Sequence, residues 1–514
     1  MPDSLRNHCF RIAATLSLAV LAGCSSINVA TVDQGPMRNS QALIQQDIAD
    51  CLAGYDALET TARELGIVDA RHQRVQGFPH LRTSRFLASF DSRELAEGAY
   101  LRWLMRQNDN AVEGLLMEWK RLPAANKRRL SQHWPGTQAA VERALDDCGE
   151  ALVERQAALP RLTGVAPDDH YQTWKRWLGI YPLTAIPFYM GVVNEHEYFQ
   201  EKQREFASAS PGKFGQWTHY DRQGPSPEPG EALALLGRQE PDALGIPMLA
   251  PATEQQLLDA FMPAIAVRHT GNGLAANDRP LRLMADASGA IIRDINQPTI
   301  YTHISFGRYQ EQITVQLNYS FWFKERRPGQ PLDLLAGQFD GLTWRVHLSS
   351  SGKVLGYDQM HQCGCWYQFF PASGFSPQPT LPVTQEPFNI GRTLHPEQPF
   401  TLWLESNTHH LLGVLPAETP ESAKPLEVLP YAELRALAGP DGQYHSPFNA
   451  QGLIPESERP ERFVFWPMGI PSPGAMRIHG THAIAFIGQR HFDAPRILDE
   501  LGLVSESPQS AQLP

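Results

Sequence analysis

Residues 299–323, TIYTHISFGRYQEQITVQLNYSFWF, decide the fold that the sequence predicts for the larger part of the chain. Apolar and polar positions alternate in both halves of this stretch. Because successive side chains of a β-strand point to opposite faces, a period of two predicts strands rather than helices. We expect two of them here, at Thr299–Phe306 and Ile313–Phe323.

The same alternation, with many turns and abundant proline, extends over residues 280–500 and predicts a mainly β domain. Ser349-Ser350-Ser351-Gly352 is expected to join two strands as a hairpin turn. A short helix near Thr253–Met262 leads into this domain, which we place at residues 253–502. Further strands are predicted at Leu342–Ser349, Val354–Asp358, Phe400–Glu405, Leu411–Leu415, Phe463–Trp466 and Thr481–Ile487.

Helical spacing dominates residues 41–165, which predicts an N-terminal helical domain. Cys51 and Cys148 each lie on an apolar stripe of helical period, one in the first long helix and one in the last. We predict a Cys51–Cys148 disulfide between these helices, and two buried free thiols are the alternative. The expected fold class is therefore α+β, an N-terminal helical bundle followed by a larger β-rich domain.

Residues 166–252 are predicted to connect the two domains. Aromatic side chains are frequent over Tyr171–Phe206, and Pro182 and Pro187 are expected to prevent one long regular helix. Such a segment is expected to pack one domain on the next, and a hydrophobic groove for a lipid or glycan is the alternative. Ser208–Pro251 is rich in Gly, Pro and Ser, which favours a surface loop or linker. A disordered tail is expected at residues 503–514.

The N-terminus combines a short apolar run with a cysteine. Arg6 and Arg11 precede the run Ile12–Val20, which is shorter than the roughly 20 residues that a membrane-spanning helix needs. Leu21-Ala22-Gly23-Cys24 follows directly. These residues resemble the lipobox of bacterial lipoprotein precursors. An ordinary secretory signal with a chance cysteine is the alternative.

The resemblance implies that residues 1–23 are a signal peptide, that cleavage occurs before Cys24, and that Cys24 carries a diacylglyceryl group and an amide-linked acyl chain such as palmitate. Ser25 and Ser26 stand where an inner-membrane retention signal would usually place Asp. The family analogy therefore implies an anchor in the outer membrane, facing the periplasm. Residues 24–40 are mostly polar and are expected to form a flexible tether.

Composition indicates a folded body of two to four domains. The chain has 514 residues, 42% hydrophobic and 19% charged, and no later apolar run reaches spanning length. Its formal net charge of -11 disfavours nucleic acid or anionic lipid as the main partner, because both attract concentrated Lys and Arg.

One motif has the residue types of a metal or redox site. In an extended strand, residues two apart share a face, so His361, Cys363 and Cys365 would present one imidazole and two sulfurs together. Zinc and copper both accept such ligands. A disulfide, which would need a tight turn at Gly364, and ordinary free thiols are the alternatives. A fourth metal ligand is expected from the C-terminal histidines, which are His479, His482 and His491, and the first two of these are included in the candidate metal site.

A second group of candidate residues is polar and aromatic. His303, Tyr319, Trp344 and Asp358 come from neighbouring predicted strands. They are expected to line a cleft for a carbohydrate or peptide, and the alternative is that the aromatic side chains fill a β core.

Two functions follow as expectations. The first is a lipid-anchored periplasmic envelope protein with a binding or assembly role, attached to the membrane and meeting another envelope protein. An exposed apolar patch over Trp174–Tyr189 would favour it. The second is a metal- or thiol-dependent periplasmic enzyme centred on His361, Cys363 and Cys365.

Overall fold

The computed structural model describes residues 29–30, 46–134, 136–271, 273–382, 384–396, 398–418 and 420–506. Helices lie mostly in the N-terminal part and sheets in the larger C-terminal part, which confirms the α+β class. The predicted signal peptide and Cys24 lie outside the described residues. Within the described ranges, no helix has the length and apolar character needed to cross a bilayer.

The N-terminal part contains a β-hairpin as well as helices. Strand β1 pairs in parallel with β2, so the predicted tether at residues 24–40 includes a short strand. The hairpin of β2 and β3 lies inside the predicted helical bundle, and its strands are too short to show a clear period. The elements are β1 (Val29–Ala30), α1 (Gln46–Glu64), β2 (Gln73–Val75), β3 (Phe78–Thr83), α2 (Arg85–Ala88), α3 (Glu97–Arg121), α4 (Ala124–Leu130) and α5 (Gln138–Ala157).

The predicted Cys51–Cys148 disulfide is confirmed. It joins α1 to α5 across a sequence separation of 97 residues, with the two Cα atoms 5.5 Å apart. The Tyr55 hydroxyl on α1 donates to the Leu145 carbonyl on α5 at 2.7 Å, and both side chains are fully buried. The disulfide therefore links two helices that are also held together by packing and by a hydrogen bond.

The predicted connector contains one long helix, so the expectation that Pro182 and Pro187 prevent it is wrong, and the predicted linker contains a strand and a helix between its loops. Pro182 occupies the first turn of α7, where a backbone N–H has no intrahelical partner, and Pro187 lies within a helix that stays continuous for 27 residues. Strand β4 belongs to a sheet, and Leu236 of α8 is fully buried. The elements are α6 (Thr173–Leu178), α7 (Tyr181–Ala207), β4 (Trp217–Asp221) and α8 (Pro229–Leu236).

Two sheets organise the C-terminal part. Their strand orders are β12-β11-β10-β9-β8-β17 and β15-β14-β5-β4-β16. The predicted hairpin is confirmed, since the Ser349 N–H donates to the Lys353 carbonyl at 2.8 Å. The elements are α9 (Pro251–Ala260), β5 (Ala264–Arg268), β6 (Arg282–Ala285), β7 (Ile291–Asp294), β8 (Thr299–Tyr309), β9 (Gln312–Arg326), β10 (Gly337–Ser349), β11 (Val354–His361), β12 (Gln368–Pro371), β13 (Phe375–Pro377), β14 (Phe400–Leu404), β15 (Leu411–Pro416), β16 (Lys424–Pro425), β17 (Glu427–Pro430), α10 (Tyr431–Arg435), β18 (Leu437–Ala438), β19 (Tyr444–His445), α11 (Arg462–Phe465), α12 (Ile497–Glu500) and β20 (Leu503–Ser505).

Both faces of the larger sheet are buried. Side chains such as Val315 and Trp344 pack with Ile265 and Leu402 of the second sheet in one apolar core. On the opposite face the C-terminal segment covers the sheet, and Arg345 Nη1 donates to the Phe492 carbonyl at 2.6 Å. The first face therefore holds the main core, whereas the second carries buried polar groups.

Three C-terminal predictions are wrong. Phe463–Trp466 is not a strand but helix α11 and the start of a 3-10 turn. Thr481–Ile487 forms only the isolated bridge of Ala483 with His491, because no neighbouring strand extends the pairing. The predicted disordered tail at residues 503–514 begins too early, since Leu503–Ser505 pairs with β13.

Candidate functional site

An exposed apolar surface covers α6 and the first half of α7, and we call it the α6–α7 patch. Each of its side chains is more than half exposed, and Trp177 reaches 83%. The expectation that this segment packs one domain on the next is therefore wrong for its outer face. The residues of the patch are Trp174, Trp177, Leu178, Ile180, Leu183, Ile186 and Met190.

The inner face of α7 lines a cavity of about 420 Å³, which we call the apolar cavity. The opposite wall is formed by the end of β11 and the turn that follows it, and by loops from distant parts of the chain. A cavity of this size whose exposed wall is mostly apolar is typical of a small-molecule site, although polar side chains such as Gln203 and Asn389 also line it. Its lining includes Pro187, Phe188, Gly191, Val192, Glu195, His196, Phe199, His361, Cys363, Cys365, Trp366, Glu386, His410, Glu461, Phe465 and Phe486.

Cys363, Gly364 and Cys365 form a tight turn in the wall of this cavity. Strand β11 ends at His361, and the Gly364 N–H donates to the His361 carbonyl at 2.7 Å. Gly364 has a φ of 88°, and a Cβ there would lie 2.3 Å from the Ala483 carbonyl oxygen, so a side chain would clash. The expectation that His361 and the cysteines share one face of a strand is therefore wrong, because the strand ends before them.

The turn brings the two thiols together. Both cysteines are free, and the Cys365 N–H donates to Cys363 Sγ at 3.4 Å. The Cys365 thiol also hydrogen-bonds to the Cys363 sulfur, and together with the nearby Arg459 guanidinium this lowers the pKa of Cys363 against the opposing effect of burial. The same contact and burial raise the pKa of Cys365 well above its ordinary value. Cys363 therefore forms a thiolate more readily than Cys365.

His361 lies next to this turn with a neutral imidazole. Its Nδ1 is 3.4 Å from Asp340 Oδ1, and its Nε2 is buried without a hydrogen-bond partner among the described residues. Burial lowers the pKa of His361 and outweighs the attraction of the Asp340 carboxylate. The imidazole therefore lines the same cavity as the two cysteines, but its Nε2 makes no hydrogen bond to either thiol.

The predicted zinc or copper site does not assemble. His482 Nε2 hydrogen-bonds to the Gln362 carbonyl at 3.1 Å, and His491 Nε2 lies 3.3 Å from Asp169. His479 lines a different cavity from the cysteines. Among the residues that the structure describes, no group of three or more His, Cys, Asp or Glu side chains is arranged to hold a metal ion. The metal form of the enzyme hypothesis is therefore set aside.

The predicted ligand cleft of four residues is also wrong. Tyr319 pairs with Trp344 across β9 and β10, and both side chains lie in the main core. Asp358 is on the opposite face of the sheet, where it accepts from Arg345 at 2.8 and 2.5 Å. His303 shares that opposite face through its register with Asn318. Because adjacent positions alternate between faces, these four residues cannot line one cleft.

His303 and His479 instead line a second cavity of about 720 Å³, the polar cleft, between α3, α10 and the larger sheet. Their ring centroids are 4.3 Å apart. Three arginines of the cleft are already bound to carboxylates, so they are not free to hold an anion. These pairs are Arg71–Glu113, Arg85–Asp493 and Arg222–Asp259.

Carboxyl groups in the apolar cavity are unusually easy to protonate. Burial raises the pKa of Glu386 and of Glu461 to about 7, although Glu386 Oε2 also accepts from the Phe486 N–H at 2.7 Å. Burial likewise lowers the pKa of His196 to about 4. Near neutral pH the His196 imidazole is therefore neutral, and about half of each carboxyl group is protonated.

No family model matches the chain, and no curated protein or solved structure is detectably similar to it. The sequence pointed to His361, Cys363 and Cys365 but not to the rest of the cavity wall. Phe188, Val192 and Phe199 recur at helical spacing on α7, and this period is a signal that could have been found.

Proposed function

We propose that this protein is a lipid-anchored periplasmic protein of the outer membrane that binds another component of the envelope through the α6–α7 patch. The exposure of that patch is the observation that carries the proposal. Contiguous apolar surface of this kind is rare on soluble proteins unless it meets a partner or a membrane. The lipobox resemblance at Leu21-Ala22-Gly23-Cys24 supports the anchor.

The proposal is tested on full-length protein expressed in a bacterial host. Mass spectrometry is expected to find an N-terminal peptide that begins at acylated Cys24. A photoreactive amino acid at Trp177 is expected to capture an envelope component in intact cells, whereas the same residue at Leu332 captures none. Leu332 is the matched control because it is 85% exposed and lies outside the patch. An unmodified, uncleaved N-terminus, or equal capture at both positions, would contradict the proposal.

A second candidate function is thiol-dependent chemistry in the apolar cavity. The contact between Cys363 and Cys365 supports it, because the lowered pKa of Cys363 increases the thiolate fraction that reacts. His361 lines the same cavity.

The thiolate is tested by alkylation with iodoacetamide across a pH series. The rate at Cys363 is expected to reach half its maximum below the ordinary thiol pKa of about 8.5. In a Cys365→Ala variant this midpoint is expected to move to higher pH, since the thiol donor is lost and the pKa of Cys363 rises. Cys51 and Cys148 are internal controls that should stay unmodified because they are disulfide-bonded. A midpoint that does not move would contradict the assignment.

A further inference from the structure

The first half of α7 is apolar on both sides, which is unusual for a surface helix. Leu183, Ile186 and Met190 face outward at helical spacing, and Phe188 and Val192 line the apolar cavity on the inner side. A helix that is apolar all round is normally covered on all sides. The outer face of α7 therefore needs a covering layer that the described residues do not supply.

Charge and aromatic content favour lipid over protein as that layer. The chain is acidic, but between Gln172 and Asn194 the charged residues are only Lys175 and Arg176, both basic. The Lys175 ammonium lies 5.7 Å from the centroid of the Trp174 ring. Tryptophan beside a basic residue at the edge of an apolar helix is the composition of segments that lie in the membrane interface.

The entrance to the apolar cavity adjoins this face. Gly191 lines the cavity and follows Met190 of the patch directly. An apolar chain that leaves the membrane along α7 would thus reach the cavity past Gly191 without crossing open water.

The N-terminal anchor would hold the patch near the membrane. Val29 follows Cys24 by five residues, which reach at most about 18 Å when extended. Strand β1 pairs with β2 at Val29 and Arg74, and the neighbouring Gln73 side chain accepts a hydrogen bond from the Asp168 N–H. Asp168 precedes Trp174 by only six residues. This path of contacts therefore links the lipid attachment point to the start of the α6–α7 patch.

We propose that the α6–α7 patch lies in the leaflet that holds the anchor, and that the apolar cavity accepts an acyl chain of a membrane phospholipid. This inference rests on the proposed function, because the acylated Cys24 is what places the patch at a membrane. It specifies the envelope component as lipid and assigns the cavity to it.

The test uses the full-length acylated protein in phosphatidylcholine vesicles that contain a photoreactive group at the end of one acyl chain. After irradiation, labelled peptides are identified by mass spectrometry. Labels are expected on the α6–α7 patch and on the cavity wall at Phe188, Val192 or Phe486. Labels on the patch without any on the cavity wall would overturn the assignment of the cavity. Absence of label from both would overturn the whole inference.

A matched pair of variants isolates the cavity. A Cβ at Gly191 meets nothing within 4 Å, so Gly191→Phe narrows the entrance without a backbone clash. We expect it to reduce cavity labelling at least tenfold, equivalent to about 1.4 kcal/mol, while the patch stays labelled. Asn194→Phe places the same ring on an exposed residue of α7 that lies outside both the patch and the cavity lining, and it should leave cavity labelling unchanged. Equal labelling in the two variants would contradict the assignment.

A second pair isolates the patch. Leu183→Glu/Ile186→Glu is expected to lower patch labelling at least tenfold, about 1.4 kcal/mol, whereas Leu332→Glu leaves it unchanged. Crosslinks from the patch to an envelope protein instead of lipid would overturn the choice of lipid. The mass of the N-terminal peptide in the same digest distinguishes failure of this inference from failure of the proposed function. Acylated protein without lipid labels refutes only this inference, whereas unacylated protein refutes the proposed function as well.

Discussion

Replacing Arg435 with alanine is expected to lower the free energy of unfolding by about 3–5 kcal/mol, because the substitution leaves the buried carboxylate of Asp69 without its ion-pair partner. Arg435 on α10 is fully buried and donates to Asp69 at 2.7 and 3.0 Å. It also contacts Glu113 on α3. The guanidinium thus joins the N-terminal helical part to the β-rich part, and its loss weakens the contact between them.

Denaturant unfolding followed by circular dichroism measures this effect. Arg327→Ala is the control, since Arg327 forms an exposed pair with Glu325 at 3.1 Å and should change stability by less than about 1 kcal/mol. The difference in the free energy of unfolding between the wild-type protein and Arg435→Ala should also decrease as the pH falls below about 4. Burial opposes ionisation of Asp69, but Arg435 outweighs it and lowers its pKa to about 2, so the stabilisation is lost on protonation. Equal effects of the two variants would refute the role of Arg435.

Removal of the Cys51–Cys148 disulfide is expected to cost about 3–5 kcal/mol in the chain-entropy treatment, because the bond closes a loop with a sequence separation of 97 residues. The double variant Cys51→Ala/Cys148→Ala removes the bond without leaving a new polar group. Thermal and denaturant unfolding should both show the loss.

Reductant supplies the matched control for this second result. Dithiothreitol should bring the wild-type protein to the stability of the double variant and leave the variant itself unchanged, because the other two described cysteines are already free. A variant as stable as the oxidised wild type would show that packing of Tyr55 and its neighbours suffices to hold α1 against α5.

The sequence predicted those elements whose signal lies in neighbouring residues or on one helix face. The period of two over residues 299–323 predicted β8 and β9, and turn composition predicted the hairpin before Val354. The Cys51–Cys148 pair followed from apolar stripes on two helices. In each case the residues that carry the signal are neighbours in the sequence or share one helix face.

The apolar cavity depends on contacts that no local pattern encodes. Its wall combines α7 with the turn at Gly364 and with loops that contain Glu386, Glu461 and Phe486, more than 100 residues apart at the extremes. Pro187 misled the prediction for α7, since a proline inside a helix is usually a break and here the helix continues. Tertiary packing, not propensity, decided both outcomes.

Four cysteines of the described chain allow three arrangements of two disulfides, yet the native fold forms one bond and keeps Cys363 and Cys365 reduced. These two are separated by one residue, so on the proposed secretory route an oxidant would meet them as a neighbouring pair before α1 and α5 have docked. Early oxidation of Cys363 and Cys365 would then compete with formation of the Cys51–Cys148 bond. On that proposed route, the yield of folded protein should depend on disulfide isomerase activity.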